Sequence, residues 1–548
     1  MMLTRLYLVG AVVIMLSSAM IVRLWYIQLV EKDFLQDQGD DRTIRMERIN
    51  AHRGIIQDRY GKALAVSTPV LSLCANPGKI LAAGKSLEPL TAYLGVSKQE
   101  FTSRLTAAQD IKKFLYLQRH LPPAEAREIL DLNISGVYAE REYHRFYPAG
   151  EVASHLVGFT DVDDNGQEGL ELSFDQWLAG TPGRKKVLKN LHGEIVRDIK
   201  PVAETKPGRN LALGIDLRLQ YLAYRELKSA VTHYEAESGS AVVLDVETGR
   251  VLAMVNQPSY NPNNRIELDM NAVRNRAVTD VFEPGSTVKP FTVGVALQSG
   301  RYTPGSIIDT SPGFVRVGDF TIRDPRDRGA IDLSEVIAHS SQVGIAKLAL
   351  DLNEYEVRGM FERLGFGRDL GSGFPGESAG YLPDHRRWKD LDRATFAYGY
   401  GLSVTPLQLA GAYLTIASGG LRRDITFLGD TEVVSERVFP TQIAEQLKAM
   451  LNRVVSDGTA TKAAIEGYDV AGKTGTVRKI GAGGYQDTEH LAFFAGLAPV
   501  NKPRLVGVIL INEPKTSRTG GGEIAAPVFS RIIGNALRIM NVPPERNV

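Results

Sequence analysis

Leu6 to Val22 is a 17-residue run of apolar and small residues without a single charge. A segment of this kind is stable as a membrane-spanning helix, which satisfies its own backbone hydrogen bonds. It is at the short end for a span, but Arg23 can snorkel, Leu24-Trp25-Tyr26-Ile27 resumes the apolar character, and Trp25 and Tyr26 suit a membrane interface. The rival is a cleaved signal peptide, because Ser17-x-Ala19 resembles a small-residue cleavage site. Apolar sequence continuing past Ala19 favours an uncleaved anchor over residues 6–29. Arg5 before the run and Glu31 and Asp33 after it predict that residues 1–5 stay in the cytoplasm. The bulk of the chain is then extracytoplasmic, on a single-pass anchor in the inner (cytoplasmic) membrane.

At 548 residues the chain is expected to form more than one domain. Residues 30–50 are polar and charged, as a stalk leaving a membrane would be. From 51 to 205 the pattern is mixed, with many Gly and Pro breaks. Arg53-Gly54 through Asp58-Arg59 to Gly61 reads as a turn between extended segments, its charges structural. Thr205-Lys206-Pro207-Gly208 marks a boundary, giving a pedestal over 30–205 and a second domain over 206–548. In the second domain Leu217, Leu219, Leu222, Leu227 and Val231 share a helical face. Apolar runs at 240–246 and 250–255 flank Glu247-Thr248-Gly249, a hairpin signal. Leu491 to Leu497 and Arg504 to Ile511 read as two further strands, and a helix follows from about Ala525. Strands at both ends around a helical middle predict an α/β domain with an antiparallel sheet assembled from both ends.

Composition excludes several function classes. A net charge of +1 gives no bulk electrostatic reason to bind nucleic acid. Cys74 is the one cysteine, without Cys-x-x-Cys or clustered His spacing, and reads as a small core hydrophobe rather than a thiol or zinc site. No metal or cofactor is expected.

Ser286-Thr287-Val288-Lys289 is the single Ser-x-x-Lys of the chain. Three-residue spacing puts hydroxyl and amine on one face of a helix. Pro290, lacking an amide hydrogen, fits a first helical turn, which puts Ser286 at a helix N-terminus where developing negative charge is favoured. A serine with an amine beside it there has the makings of an activated nucleophile. Ser340-Ser341-Gln342 precedes a helical run from Ile345, and Lys473-Thr474-Gly475-Thr476 lies on a strand edge, Gly475 leaving room for a ligand or another backbone. Alone each is weak: a Ser-Ser pair before a helix is usually an N-cap.

In this order the three segments resemble the signature of the penicillin-recognising serine enzymes: Ser-x-x-Lys, Ser-x-Asn, Lys-Thr-Gly. Arg53-Gly54…Asp58-Arg59…Gly61, Arg141-Glu142-Tyr143-x-Arg145-x-Tyr147-Pro148 and Gly169-Leu170-Glu171 resemble motifs of the class B penicillin-binding proteins. Gly373 to Glu377 and Tyr398 to Gln408 resemble the division-type (FtsI-type) branch. The resemblance implies the penicillin-recognising transpeptidase fold, an antiparallel sheet flanked by helices, preceded by a mixed α+β pedestal and one transmembrane helix. It implies a peptidoglycan D,D-transpeptidase of septal wall synthesis, a β-lactam target. Ser286 would attack stem peptides ending in D-Ala-D-Ala, or β-lactams, forming an acyl-enzyme. Lys289 would take its proton, with burial near other cations such as Lys473 lowering the amine's pKa, and Ser340 would relay a proton to the leaving D-alanine. Lys473 and Thr474 would hold the substrate carboxylate, with Thr476 nearby and Gln342 and Gly475 completing the substrate-binding set, and the N–H groups of Ser286 and Thr476 would form the oxyanion hole. The implied partners are a membrane glycan polymerase and other division proteins.

One position departs from that signature: Gln342 stands where Asn is usual, one methylene longer, so its hydrogen bonds to Lys289 or substrate must shift. Two other classes stay open: a hydrolytic relative, against which the long 51–205 block argues, and a scaffold or sensor. Gly376-Glu377-Ser378-Ala379-Gly380 matches the Gly-x-Ser-x-Gly of α/β-hydrolases, but Pro375 before it and Pro383 after it argue against the required strand-turn-helix. His490, just ahead of an expected strand, is either structural or at the border of the cleft.

Overall fold

The computed structural model describes residues 2–35, 44–83, 87–109, 114–189, 195–432, 434–481, 484–516 and 519–546. Contacts group the chain into two compact units, residues 1–53 with 179–208 and residues 54–178 with 209–548. The first unit opens with the helix Met2–Trp25, continued by a π-helical turn Tyr26–Val30. Met2–Val30 is long and apolar enough to cross a membrane, and protein buries none of its most apolar window. Of the stalk expected over 30–50, residues 36–43 lie outside the described residues. Its end is a strand, Ile44–Ile49, in a three-stranded antiparallel sheet with Gly183–Lys189 and Ile195–Ala203. Charged residues form a strand here because pairing sets Glu47 opposite Lys185, with 3.8 Å between the charged atoms.

The second unit is built on a five-stranded antiparallel sheet. Its order is Val251–Gln257, Ser238–Asp245, Leu505–Asn512, Gly484–Ala498, Ala471–Gly481. Both ends of the segment after residue 206 therefore contribute to one sheet, as expected. The first hairpin turns where Asp245 Oδ1 accepts from the amides of Glu247 (2.9 Å) and Thr248 (3.0 Å), and Gly249 takes a φ of 68°. Ser238–Asp245 is buried at every position because helices cover both faces of the sheet. One is Leu217–His233, which buries Leu219, Leu222 and Leu227 and is capped by the Asp216 carboxylate.

The C-terminal helix runs Gly521–Ile539 rather than starting near Ala525. A Cβ on Gly521 would lie 2.3 Å from Phe493 O and 2.4 Å from Gly475 O. Gly521 thus allows close approach of the helix start to the sheet. His490 lies inside the strand Gly484–Ala498, opposite Arg478, because that strand extends further back than its apolar run.

A second sheet in this unit has Leu115–Leu121, Ala63–Ala75, Ile56–Gln57 and Leu211–Ala212 in order, with Val137–Phe146 also paired to Ala63–Ala75. Here one charged residue of the 53–61 segment, Asp58, anchors backbone. Asp58 accepts from the amides of Tyr60 (2.9 Å), Lys62 (2.8 Å) and Leu217 (3.2 Å). The segments 141–148 and 169–171 meet in a buried ion pair: Arg145 Nε donates to Glu171 Oε1 at 2.6 Å, with both side chains almost wholly buried. Arg145 also donates to Ser67 Oγ at 3.1 Å. Removing one partner of such a pair leaves the other charge stranded. Glu171→Ala is expected to cost about 3–5 kcal/mol, read as a lower denaturant midpoint, whereas a loss under about 0.5 kcal/mol would contradict the pair's role.

Candidate active site

Gly285–Val288 forms one turn of 3-10 helix and leads directly into the α-helix Lys289–Gln298, with Pro290 in its first turn. Ser286 is therefore where the proline argument expects it, on a tight turn ahead of a helix. The turn is held from several sides. Thr287 Oγ1 donates to Pro284 O (2.6 Å), and Tyr413 OH, fully buried in the helix Pro406–Ala417, donates to Thr287 O (2.8 Å). Gly285 N donates to Gly399 O (3.0 Å), and Glu283 Oε1 accepts from Gly401 N (2.9 Å). Ser286 is half-buried, and no hydrogen bond among the described residues engages its hydroxyl.

Lys289 is completely buried. Its Nζ donates to Ser340 O at 2.6 Å and to Ser340 Oγ at 3.1 Å, and makes no hydrogen bond to Ser286. Ser340 sits between the helices Leu333–Ala338 and Gln342–Asp351 with a φ of 60°, a left-handed conformation that non-glycine residues rarely hold. Ser341 is the N-cap of the second helix, its Oγ accepting from Gly344 N at 2.9 Å. The Gln342 side chain makes no hydrogen bond to Lys289 or to any other described residue.

The strand Ala471–Gly481 lies against the serine turn: a Cβ on Gly285 would come within 2.9 Å of Val477 Cγ2. Lys473 is completely buried. Thr474 Oγ1 lies 3.2 Å from Thr459 Oγ1, and Thr476 Oγ1 accepts from Gly521 N at 2.9 Å. The space beside Gly475 belongs to the protein itself, since a Cβ there would sit 2.0 Å from the Phe493 ring. The room read in the sequence is thus filled by an aromatic ring and by the backbone of Gly521.

Burial lowers the pKa of both lysines. Lys289 is brought down to about 7, with burial the dominant cause and the Asp324 carboxylate opposing it. Lys473 is pushed well down by burial and then by repulsion from Lys289. An amine at about 7 is part neutral at neutral pH and able to accept a proton. Both causes read in the sequence act, divided between the two amines: burial leads at Lys289, and the neighbouring cation weighs on Lys473.

Sequence reasoning missed Asp324. It follows the hairpin Phe314–Val317 and Phe320–Arg323 and accepts from Gln342 N (2.6 Å), Val343 N (3.2 Å) and Ser341 Oγ. Nothing in the local pattern around Asp324 distinguishes it from a turn aspartate. The decoys behave as decoys. Ser378 lies on a turn, its Oγ accepting from Gly380 N, with no helix after it. Cys74 is buried, its thiol pushed up to about 12 chiefly by burial. Among the described residues no group of three or more His, Cys, Asp or Glu is arranged to hold a metal ion.

Residues 239–534 match the family model of the penicillin binding protein transpeptidase domain, and residues 48–213 that of the penicillin-binding protein dimerisation domain. The chain is 41% identical to the peptidoglycan D,D-transpeptidase FtsI of Escherichia coli, over 99% of this chain and 92% of the relative. It is 40% identical to a probable peptidoglycan D,D-transpeptidase, PbpC, of Pseudomonas aeruginosa, over 99% and 96%. Among solved structures it resembles penicillin binding protein 3 of Mycobacterium tuberculosis complexed with aztreonam, with a TM-score of 0.71, 28% identity, and coverage of 91% of this chain and 98% of that one.

The packing around the serine turn leaves no room at Gly399, which has a φ of 96° and whose added Cβ would lie 2.2 Å from Gly285 O. Gly399→Ala is expected to destabilise the unit by about 2 kcal/mol or more, measured by thermal unfolding. An unchanged melting temperature would contradict the contact.

Proposed function

Because this chain belongs to the penicillin-binding transpeptidase family, we propose that Ser286, Lys289 and Ser340 carry out its acyl transfer. The chain is a peptidoglycan D,D-transpeptidase, a β-lactam target, acting in septal wall synthesis. The observation that carries the residue assignment is the buried Lys289 amine, down at about 7 and hydrogen-bonded to Ser340 at 3.1 Å.

Ser286 Oγ attacks the carbonyl between the last two D-alanines of a stem peptide, and neutral Lys289 accepts its proton. The C–N bond breaks, and the departing D-alanine takes a proton relayed through Ser340, which already accepts from Lys289. The amine of a neighbouring stem then attacks the ester, loses a proton, and restores Ser286 as the cross-link forms. The backbone N–H groups of Ser286 and Thr476 stabilise the oxyanion, each worth a few kcal/mol. Lys473 and Thr474 bind the substrate's terminal carboxylate, with Gly475 and Thr476 beside them, and its arrival favours the charged form of Lys473. A β-lactam carbonyl opens onto Ser286 by the same first step. Residues 1–5 are the cytoplasmic tail, 6–29 the single-pass anchor, 30–205 the pedestal and 206–548 the transpeptidase domain. The pedestal meets a membrane glycan polymerase and other division proteins.

A second reading, a specialised paralogue or division scaffold with altered acylation, is favoured by one observation: the Gln342 amide has no bond to Lys289. Wild-type protein is expected to form a stable covalent adduct with a fluorescent penicillin and Ser286→Ala none. Absence of an adduct on folded wild type would move the scaffold reading to the front. Gln342→Asn is expected to change acylation rates for some β-lactams more than others; identical rates across several would sink the idea that Gln342 tunes the site.

A further inference from the structure

Asp324 is far from all three sequence motifs, yet its carboxylate meets the one in the middle. Oδ1 accepts from the backbone of Gln342 and Val343, and Oδ2 accepts from Ser341 Oγ. The hairpin before it is anchored in turn, Asp324 N donating to Gly313 O at 2.9 Å. The residue next to this anchor is Ser340, held at a φ of 60°. That conformation is costly for a non-glycine residue and persists only where surrounding contacts enforce it.

We infer that Asp324 is a positioning residue for acyl transfer, clamping the Ser340 turn in the arrangement in which Ser340 receives the Lys289 hydrogen bond. The inference rests on the reading of Lys289 as the base for Ser286. A negative charge at a helix start is stabilised by the unpaired amides and the macrodipole, so the clamp is strong on its own account. It also has a chemical consequence. The Asp324 charge favours the protonated form of Lys289, against the burial that lowers it.

The other groups around the site are accounted for. Lys473 on the sheet edge is the cation whose titration is linked to Lys289. His339, beside Ser340, is held below its ordinary value by burial and by Arg328 and Arg326, with Glu335 and Asp457 opposing. Arg328 is lowered by burial and by Arg326, offset by Asp324 and Glu335.

The test is the rate of acylation by a fluorescent penicillin against pH, on the purified full chain in detergent, for wild type and Asp324→Asn. For Asp324→Asn the midpoint of the rising limb is expected to fall by about one pH unit. Its plateau above both midpoints is expected to fall about tenfold, because the turn is less well held. An unmoved midpoint overturns the inference whatever the plateau does, and so does an unchanged plateau. Failure of wild type to acylate would instead remove the reading of Ser286 and Lys289. If Asp324→Asn does not fold, Ser341→Ala decides: it removes one anchor and keeps the charge, so the plateau falls with the midpoint in place. An unchanged plateau there overturns the clamp.

Discussion

Lys289 and Lys473 both end in the protein interior, completely buried, with the charge of the first weighing on the second. Two ammonium groups cannot both stay fully charged in such a place, since burial strips them of water and each repels the other. The rest of the site follows from this constraint. Both amines are pushed towards the neutral form: Lys289, on the serine turn and bonded to Ser340, is brought to about 7, and Lys473 is pushed well down by burial and by the Lys289 charge. Desolvation of this size costs several kcal/mol, which the surrounding fold must offset.

The offset comes from packing. The strand with Lys473 is the edge of a sheet whose inner strands are buried on both faces. The serine turn is fixed by Tyr413 from one helix, by the backbone of Gly399, and by Val477 on the sheet edge. Asp324 anchors the neighbouring Ser340 turn through Ser341 Oγ and the amides of Gln342 and Val343. A fold tight enough to bury two amines also holds Ser340 in a strained conformation and, among the described residues, leaves the Ser286 hydroxyl without a hydrogen-bond partner. Gln342 is the loose element, its amide N–H pinned by Asp324 and its side chain uncommitted.

Much of this was legible in the chain. Pro290 put Ser286 ahead of a helix, and the strand runs at 240–246, 250–255, 491–497 and 504–511 gave an antiparallel sheet drawn from both ends. The C-terminal helix start was not legible, because a run of glycines at 520–522 does not read as helix unless the Gly475 and Phe493 backbone that Gly521 approaches is known. Asp324 was invisible for a similar reason: its partners lie at 341–343, joined by tertiary contact and by no periodicity. The strand Ile44–Ile49 depends on a charge partner at Lys185, equally remote in sequence.

The central claim is that burial makes Lys289 the base that activates Ser286. The most direct measurement is the acylation rate constant of the wild-type chain across pH 5 to 11. A lowered amine gives a rate that rises through a midpoint near 7 and then levels off, since the neutral form accumulates above the pKa. A rising limb centred near 10, where an ordinary lysine titrates, or a rate independent of pH, would contradict it.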